Sequence, residues 1–338
     1  MKKIRVEEAV GLTLCHDITA MYDGFKGAAF KRGHVIREED IEKLLDIGKR
    51  HVYVYEEAAG EIHEEPAAIR MAAATKTEYT HDTDPSEGKI VRIADREGLY
   101  RVDTVLLEKL NAISDVTLSS LPDHYPVRAG MKLASMRIVP LMTKEKNIKE
   151  FEDLCAQKPL MRILPYRERK AGVVITGSEV YTGRIPDKFE PVVREKLSKY
   201  PAQILGVTIV DDDVEMITDA ARSFLDQGAG LLIFAGGMSV DPDDVTPEAI
   251  GALGADIVSY GAPAQPGNMT LAAYLGDVAI LGVPGAAISL PTTLFDVLLP
   301  QIFTAEKLTK EDLVRLGNGG LCQRCETCHF PNCTFGRY

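Results

Sequence analysis

Residues 165–310 predict an α/β domain on a doubly wound, mostly parallel sheet, with smaller β-rich units ahead of it. Three observations carry this. Apolar runs of strand length, at Ala171–Thr176, Ile204–Val210, Leu231–Ala235 and Val278–Val283, alternate with segments of helical period. The helices have marked starts: Asp211-Asp-Asp213 ahead of Val214–Gln227, and Thr246-Pro-Glu248, read as N-cap, first helical residue and first-turn acid. Glycine turns at Thr176-Gly177, Gly236-Gly237 and Pro284-Gly285 follow strands, where right-handed crossovers leave the ligand crevice of such a sheet.

The chain divides into four expected segments. Residues 1–57 read as a small β-rich domain. Within it Gly33–Gly48 gives a turn, a short strand and an amphipathic helix stopped by glycine, and His51–Tyr55 alternates as a strand. Residues 58–150 read as a second accessory α+β domain. It has a helix over Pro66–Ala74, a loop over Thr77–Gly88, strands at Lys89–Ala94 and Leu99–Val102 around a turn at Glu97-Gly98, a helix over Thr104–Ser114, and a turn and strand in Val127–Leu141. Thr143–Asp153 reads as a charged link. His16, His34 and His51 lack ligand spacing and read as surface or hydrogen-bonded core residues; His63 and His81 have only their residue type to suggest ligation. In the α/β segment follow a helix over Phe189–Tyr200, a strand at Ile257–Tyr260 and a helix from near Ala286 towards Phe303. A tail at 320–338 closes the sequence.

The totals exclude several classes. At 338 residues, 45% hydrophobic and 26% charged, the composition is that of a globular protein with room for two or three cores. A net charge of −11 argues against a general nucleic-acid or membrane-surface binder. No apolar run approaches the roughly 20 residues of a membrane span. Arg5, Glu7 and Glu8 interrupt any signal-like start, so a cytoplasmic location is expected.

The stretch Leu231–Ile250 carries the chemistry. Its glycines let the backbone approach a ligand, and its loop holds Asp241, Asp243 and Asp244. Carboxylates beside a phosphate require a bridging divalent cation or a part in the reaction. Asp244 is the catalytic candidate, Asp243 an auxiliary, and Asp241 a loop residue. The plain alternative for Asp244 is a loop carboxylate capping the helix at Thr246.

Together Ile175-Thr-Gly-Ser-Glu179, Gly236–Ala249, Pro266-Gly267 and Val283-Pro-Gly285 resemble the molybdopterin-binding fold of molybdopterin adenylyltransferases, molybdopterin molybdenumtransferases and the gephyrin family. Phe30–Gly48 tilts the resemblance towards the molybdenumtransferases. Pro242-Asp-Asp-Val-Thr246 fits a rival better: competence-damage-type hydrolases of nicotinamide nucleotides and ADP-ribose, which share the domain. The resemblance implies handling of a pterin dithiolene phosphate, with Mg²⁺ and molybdate in the transferase branch. It implies ligand contacts from Thr176, Gly177, Ser178, Glu179, Asp187, Gly236, Gly237, Ser239, Asp243, Pro266, Gly267, Pro284, Gly285 and Ser289. Departures are Ser178 for an acid, Met238-Ser239 for Thr-Gly, Asp243 for Arg, Asn268 for Lys and Ala286-Ala287 for Asn-Pro. The weakened grip keeps two further readings open: a non-catalytic cofactor carrier or sensor, and a hydrolase or amidase of the rival type. Relatives imply a homodimer or homotrimer and delivery to a molybdoenzyme.

Of six cysteines, Cys15 and Cys155 read as buried fillers. Cys322, Cys325, Cys328 and Cys333 crowd together at spacings that suit one metal, either Zn²⁺ or an iron–sulfur cluster, with His329 able to replace a thiol.

Overall fold

Alternate residues of successive strands point to opposite faces, and here both faces are buried. Val173, Ile175, Ile233 and Leu281 pack on one side with Phe295 and Leu299. Val174, Leu232, Phe234 and Ile280 pack on the other with Ile217 and Phe224. A sheet covered twice needs continuous apolar strands, which is why Leu231–Ala235 is buried at every position. The computed structural model describes residues 2–22, 25–54, 60–239 and 241–337.

The chain forms two compact units, each assembled from separated stretches. The first takes Met1–Asp95, Asp103–Leu121 and Gly130–Met161; the second takes Arg96–Val102, Pro122–Ala129 and Arg162–Tyr338.

In the first unit Lys2–Arg5 pairs antiparallel with His51–Val54, as the alternation suggested; Tyr55, the expected strand end, lies outside the described residues. The short strand expected after Gly33 is only a single bridge between Thr13 and Val35. An unforeseen hairpin, Ile18–Tyr22 with Phe25–Phe30, lies before it. The loop expected over Thr77–Gly88 contains the strand Thr80–Asp82, which edges a four-stranded sheet with Ile90–Ala94, Lys132–Ile138 and Val116–Ser120. The charged link is a helix, Glu145–Cys155, because Ile148, Phe151 and Cys155 recur at helical spacing and are buried beneath its charges. His63 Nε2 donates to Cys15 O at 2.5 Å, and His81 pairs with Asp95 at 2.5 Å, so neither is set aside for a ligand.

The expected hairpin at Glu97-Gly98 does not form. Ile90–Ala94 pairs within the first unit, while Gly98–Val102 joins Tyr125–Val127 and Met161–Pro165 in a three-stranded sheet.

The main sheet of the second unit contains β1 (Arg169–Thr176), β2 (Ala202–Val210), β3 (Leu231–Ala235), β4 (Asp256–Tyr260), β5 (Leu271–Leu275) and β6 (Val278–Val283), in the order β2-β1-β3-β6-β5-β4. The pairs β1–β2, β1–β3 and β3–β6 are parallel, and β5 and β4 add antiparallel to the edge. The sequence reading missed β5, although the two-residue Gly276-Asp277 turn before β6 is hairpin chemistry, with Gly276 at φ +57°. The helices are α1 (Ser178–Tyr181), α2 (Phe189–Leu197), α3 (Val214–Asp226), α4 (Thr246–Ala252), α5 (Leu294–Ile302) and α6 (Lys310–Arg315).

The single helix expected from Ala286 to Phe303 is two pieces: a 3₁₀ turn over Gly285–Ile288, then α5. Pro291 disfavours helix in the residue before it, and Thr293 with Asp296 makes a capping box that restarts it. Asp296 also meets Lys196 at 2.6 Å, with side-chain exposures of 9% and 3%, and the same ammonium donates to Pro291 O. A buried pair of this kind fixes geometry more than it stabilises, since desolvation offsets most of the attraction.

Within this unit His124 bridges two carboxylates, Asp123 at 2.9 Å and Asp312 at 3.5 Å. Burial works against its protonation, but hydrogen bonds to Asp123 and Asp312 outweigh it and raise the imidazole above its ordinary value. A raised folded value means the contribution is complete below about pH 6.5, the unfolded value, and is lost as pH climbs through the folded one. Urea midpoints measured upward from about pH 6 are therefore expected to fall, and His124→Gln to flatten that decline. Two glycines test the packing. In Gly172→Ala the new Cβ lies 2.4 Å from Phe224 Cγ, costing about 1–3 kcal/mol. Gly251→Ala, in open space within α4, stabilises by about 0.5–1 kcal/mol in the same denaturation assay.

Candidate functional site

The site is built where β1, β3 and β6 end. After Ala235 the backbone turns through Gly236 at φ +92° and Gly237 at φ +55°. A Cβ on Gly236 would sit 2.1 Å from Thr176 O, and one on Gly237 would sit 2.6 Å from Thr246 Oγ1. Only glycine permits that approach in that conformation. Thr246, fully buried, donates to Gly236 O at 3.0 Å and lies 3.1 Å from Thr176 Oγ1. Its hydroxyl therefore ties strand end to helix start. It is the first residue of α4 and not the N-cap, which is Val245 and makes no side-chain cap bond. Met238, where the resembled enzymes carry threonine, is buried against Gly282 of β6.

The acidic loop is stapled by Asp244. Its Oδ2 accepts from Ser239 N at 3.0 Å and Asp241 N at 3.3 Å. The Tyr260 hydroxyl lies 2.9 Å from both Met238 O and Ser239 O, bracing the loop from β4. Burial, and then the Asp244 charge, raise the Tyr260 phenol above its ordinary value, so it stays a donor.

Gly236, Gly237, Ser239, Asp244, Gly267, Pro284 and Gly285 line one cavity of about 320 Å³. Asp241, Asn268, Met269 and Phe189 share it, and among the described residues its lining contains no lysine or arginine. Phe189 and Met269 were not foreseen as site residues; nothing in their local sequence marks them, because the β1–β2 crossover brings Phe189 here and the antiparallel β4–β5 loop brings Met269.

The remaining predicted residues stand elsewhere. Thr176 is buried behind the glycine turn. The backbone N–H of Ser178 donates to Asp212 at 2.9 Å and its hydroxyl to Asp211 at 2.5 Å, so a carboxylate already occupies the first loop's donors. The Ser178 hydrogen bond is the chief cause holding Asp211 below its usual value. Of the three aspartates expected to cap α3, only Asp213 does so, accepting from Met216 N. The Glu179 carboxylate lies against Gly177. Asp187 is engaged by Phe189 N and Glu190 N at the start of α2. Ser289 bonds back to Ala286 O, and Asp243 is exposed and does not line the cavity. Pro266 belongs to a second cavity, of about 230 Å³, which also holds Cys322, Cys325, Cys328 and Cys333. All four are free thiols, and among the described residues no three His, Cys, Asp or Glu side chains stand together as a ready-made metal set.

Glycine turns at three neighbouring strand ends, over a mostly parallel sheet and beside an acidic loop, define an α/β domain of the class that binds ligands beyond its strand ends. Residues 172–304 match the family model described as "Probable molybdopterin binding domain", which bears out the resemblance read from the motifs. Residues 3–56 match a second model, described as a domain of unknown function. A CinA-like protein of Mycobacterium avium (strain 104) is 35% identical over 81 residues, covering 24% of this chain and 19% of that protein. The chain thus spans about a fifth of the length of the curated relatives it matches. Among solved structures, the molybdopterin biosynthesis enzyme MoaB of Thermus thermophilus is 22% identical, covers 39% of this chain and 90% of its own, and gives a TM-score of 0.32. The protein CinA of Thermoplasma acidophilum is 18% identical, covers 40% and 98%, and gives 0.35. No described helix is long and apolar enough to cross a membrane.

The glycine turn is testable by itself. Gly236→Ala combines a left-handed φ with a clash against backbone, and is expected to cost about 2–5 kcal/mol in chemical denaturation.

Proposed function

We propose that the α/β domain binds molybdopterin, or its adenylylated form, in the cavity between Gly236-Gly237, Gly267 and Pro284-Gly285, and that the chain serves molybdenum-cofactor biosynthesis. The observation that supports this most is the meeting of the turns after β3 and β6 with the Gly267 loop ahead of β5 around one cavity that also holds Asp241 and Asp244. With no cationic side chain in the lining, a pterin phosphate would be held by backbone N–H groups and by Mg²⁺. The residues fit that ion. Asp244 accepts its two loop hydrogen bonds on Oδ2, and among the described residues its Oδ1 accepts none, leaving one oxygen for a cation beside the Asp241 carboxylate. Mg²⁺ typically takes one or two protein carboxylates and completes its shell with water and phosphate, so no third acidic ligand is needed. The ion would neutralise phosphate charge; the chain's own part is to present the carboxylates and exclude bulk water.

Catalytic molybdenum insertion, with molybdate as co-substrate and a molybdoenzyme as recipient, is the finer form of this reading. It carries with it the homodimer or homotrimer of the resembled family. One observation favours binding without turnover. Asp211 and Asp212 take up the Ser178 donors that a phosphate would otherwise use, which suits a carrier or sensor. Another favours hydrolysis: the Pro242–Thr246 run fits the competence-damage-type pattern, and a CinA-like protein is 35% identical over 81 residues.

Equilibrium binding of molybdopterin with and without Mg²⁺ tests the reading. Saturable binding that Mg²⁺ tightens about tenfold, and that loses the Mg²⁺ effect in Asp244→Asn, is expected. Asparagine keeps an acceptor for Ser239 N, so the loop stays stapled. No saturable binding of the pterin sinks the proposal. AMP release from adenylylated pterin with Mg²⁺ and molybdate separates the transferase from the carrier, and cleavage of nicotinamide mononucleotide or ADP-ribose identifies the hydrolase.

A further inference from the structure

The segment after α6 is a docked lobe of the second unit. Phe335 is only 2% exposed in the core that holds Phe295 and Leu299, and Phe330 packs edge-on against it at 6.3 Å. Gln265 N donates to Gly320 O at 2.7 Å and Cys322 N returns a bond to Gln265 O at 2.8 Å, fixing the first cysteine to the segment that leads into Gly267. On this lobe all four clustered cysteines face one cavity.

Two of the sulfurs already have hydrogen-bond partners. Arg324 N–H donates to Cys322 Sγ at 3.4 Å, made possible by the left-handed φ of +52° at Arg324. Cys328 Sγ lies 3.2 Å from the Thr292 hydroxyl. Backbone and hydroxyl donors aimed at sulfur are the outer contacts that orient and stabilise metal-bound thiolates. A third observation concerns charge. Arg337 lies largely within this lobe, its guanidinium stacked at 4.7 Å over Tyr125 and 5.4 Å over Phe330, and donates to the carbonyls of His124 and Pro331. Among the described residues no carboxylate lies within ion-pair distance of it, and its bond to Pro331 O places it in the loop that carries Cys333. A partly buried cation with no carboxylate calls for another anion nearby, and thiolate is the one this lobe can supply.

We infer that Cys322, Cys325, Cys328 and Cys333 close as thiolates on a single Zn²⁺ ion, bracing the back of the segment that walls the cavity at Gly236. Zn²⁺ takes four thiolates tetrahedrally, and two-residue spacings on short loops let them converge by side-chain rotation and small loop shifts. His329 is left outside the set. The inference does not depend on what the cavity at Gly236 binds.

The full chain, purified anaerobically, is expected to carry one zinc per chain and to expose four additional thiols to Ellman's reagent once a chelator removes it. Replacement by Co²⁺ is expected to give the intense sulfur-to-cobalt absorption of a tetrathiolate site. Cys322→Ser/Cys328→Ser should lower zinc content at least about tenfold, while His329→Ala leaves it unchanged. The wild-type measurements need no variant to fold. Failure to bind zinc or cobalt stoichiometrically, zinc retained in the double variant, or iron with sulfide and a visible cluster spectrum would each overturn the inference.

Discussion

The structure turns on one close approach, the end of β3 against the end of β1. Gly236 carries no Cβ because Thr176 O occupies that space, and the left-handed backbone there redirects the chain over the sheet. Thr246 then fastens α4 to the same point through Gly236 O. Strand register, loop direction and helix start are thus set by three residues within hydrogen-bonding reach. The cavity beside them follows, because the turn leaves backbone and not side chains along its wall.

Charge gives the site its character. Among the described residues, an anion in this cavity meets Asp241 and Asp244 and no cationic side chain. Backbone dipoles by themselves compete poorly with two carboxylates, which is why the proposed reading calls on a divalent cation. The Asp211 and Asp212 carboxylates at Ser178 act in the opposite sense, satisfying donors internally. The Thr176–Glu179 loop is thereby closed, while the Gly236-Gly237 turn stays open to the cavity.

The segment from Gly285 to Asp296 connects the two cavities. Its first residues line the cavity at Gly236, Pro291 and Thr292 line the cysteine cavity, and Lys196 anchors it through Asp296 and Pro291 O. Broken at Pro291, it reaches both sites in a way an unbroken helix would not. The family resemblance over 172–304 was legible because its motifs are local in sequence. The gathering of Phe189 and Met269 around Gly236 was not legible, since it depends on which strands become neighbours.

The sequence by itself determined the parallel strands and most helices of the α/β domain, the glycine turns, and the cysteine cluster. These are local matters of apolar run length, φ preference and spacing. Tertiary structure decided what each polar group does. It made Thr246 a strand-to-helix tie, Asp187 a cap and Asp244 a loop staple with one oxygen to spare. It sent Ile90–Ala94 and Gly98–Val102 to different sheets, and made a helix of a link that looked merely charged. Hydrogen-bond partners and strand neighbours are chosen across the chain, by which groups burial leaves unsatisfied, and no local pattern encodes that choice.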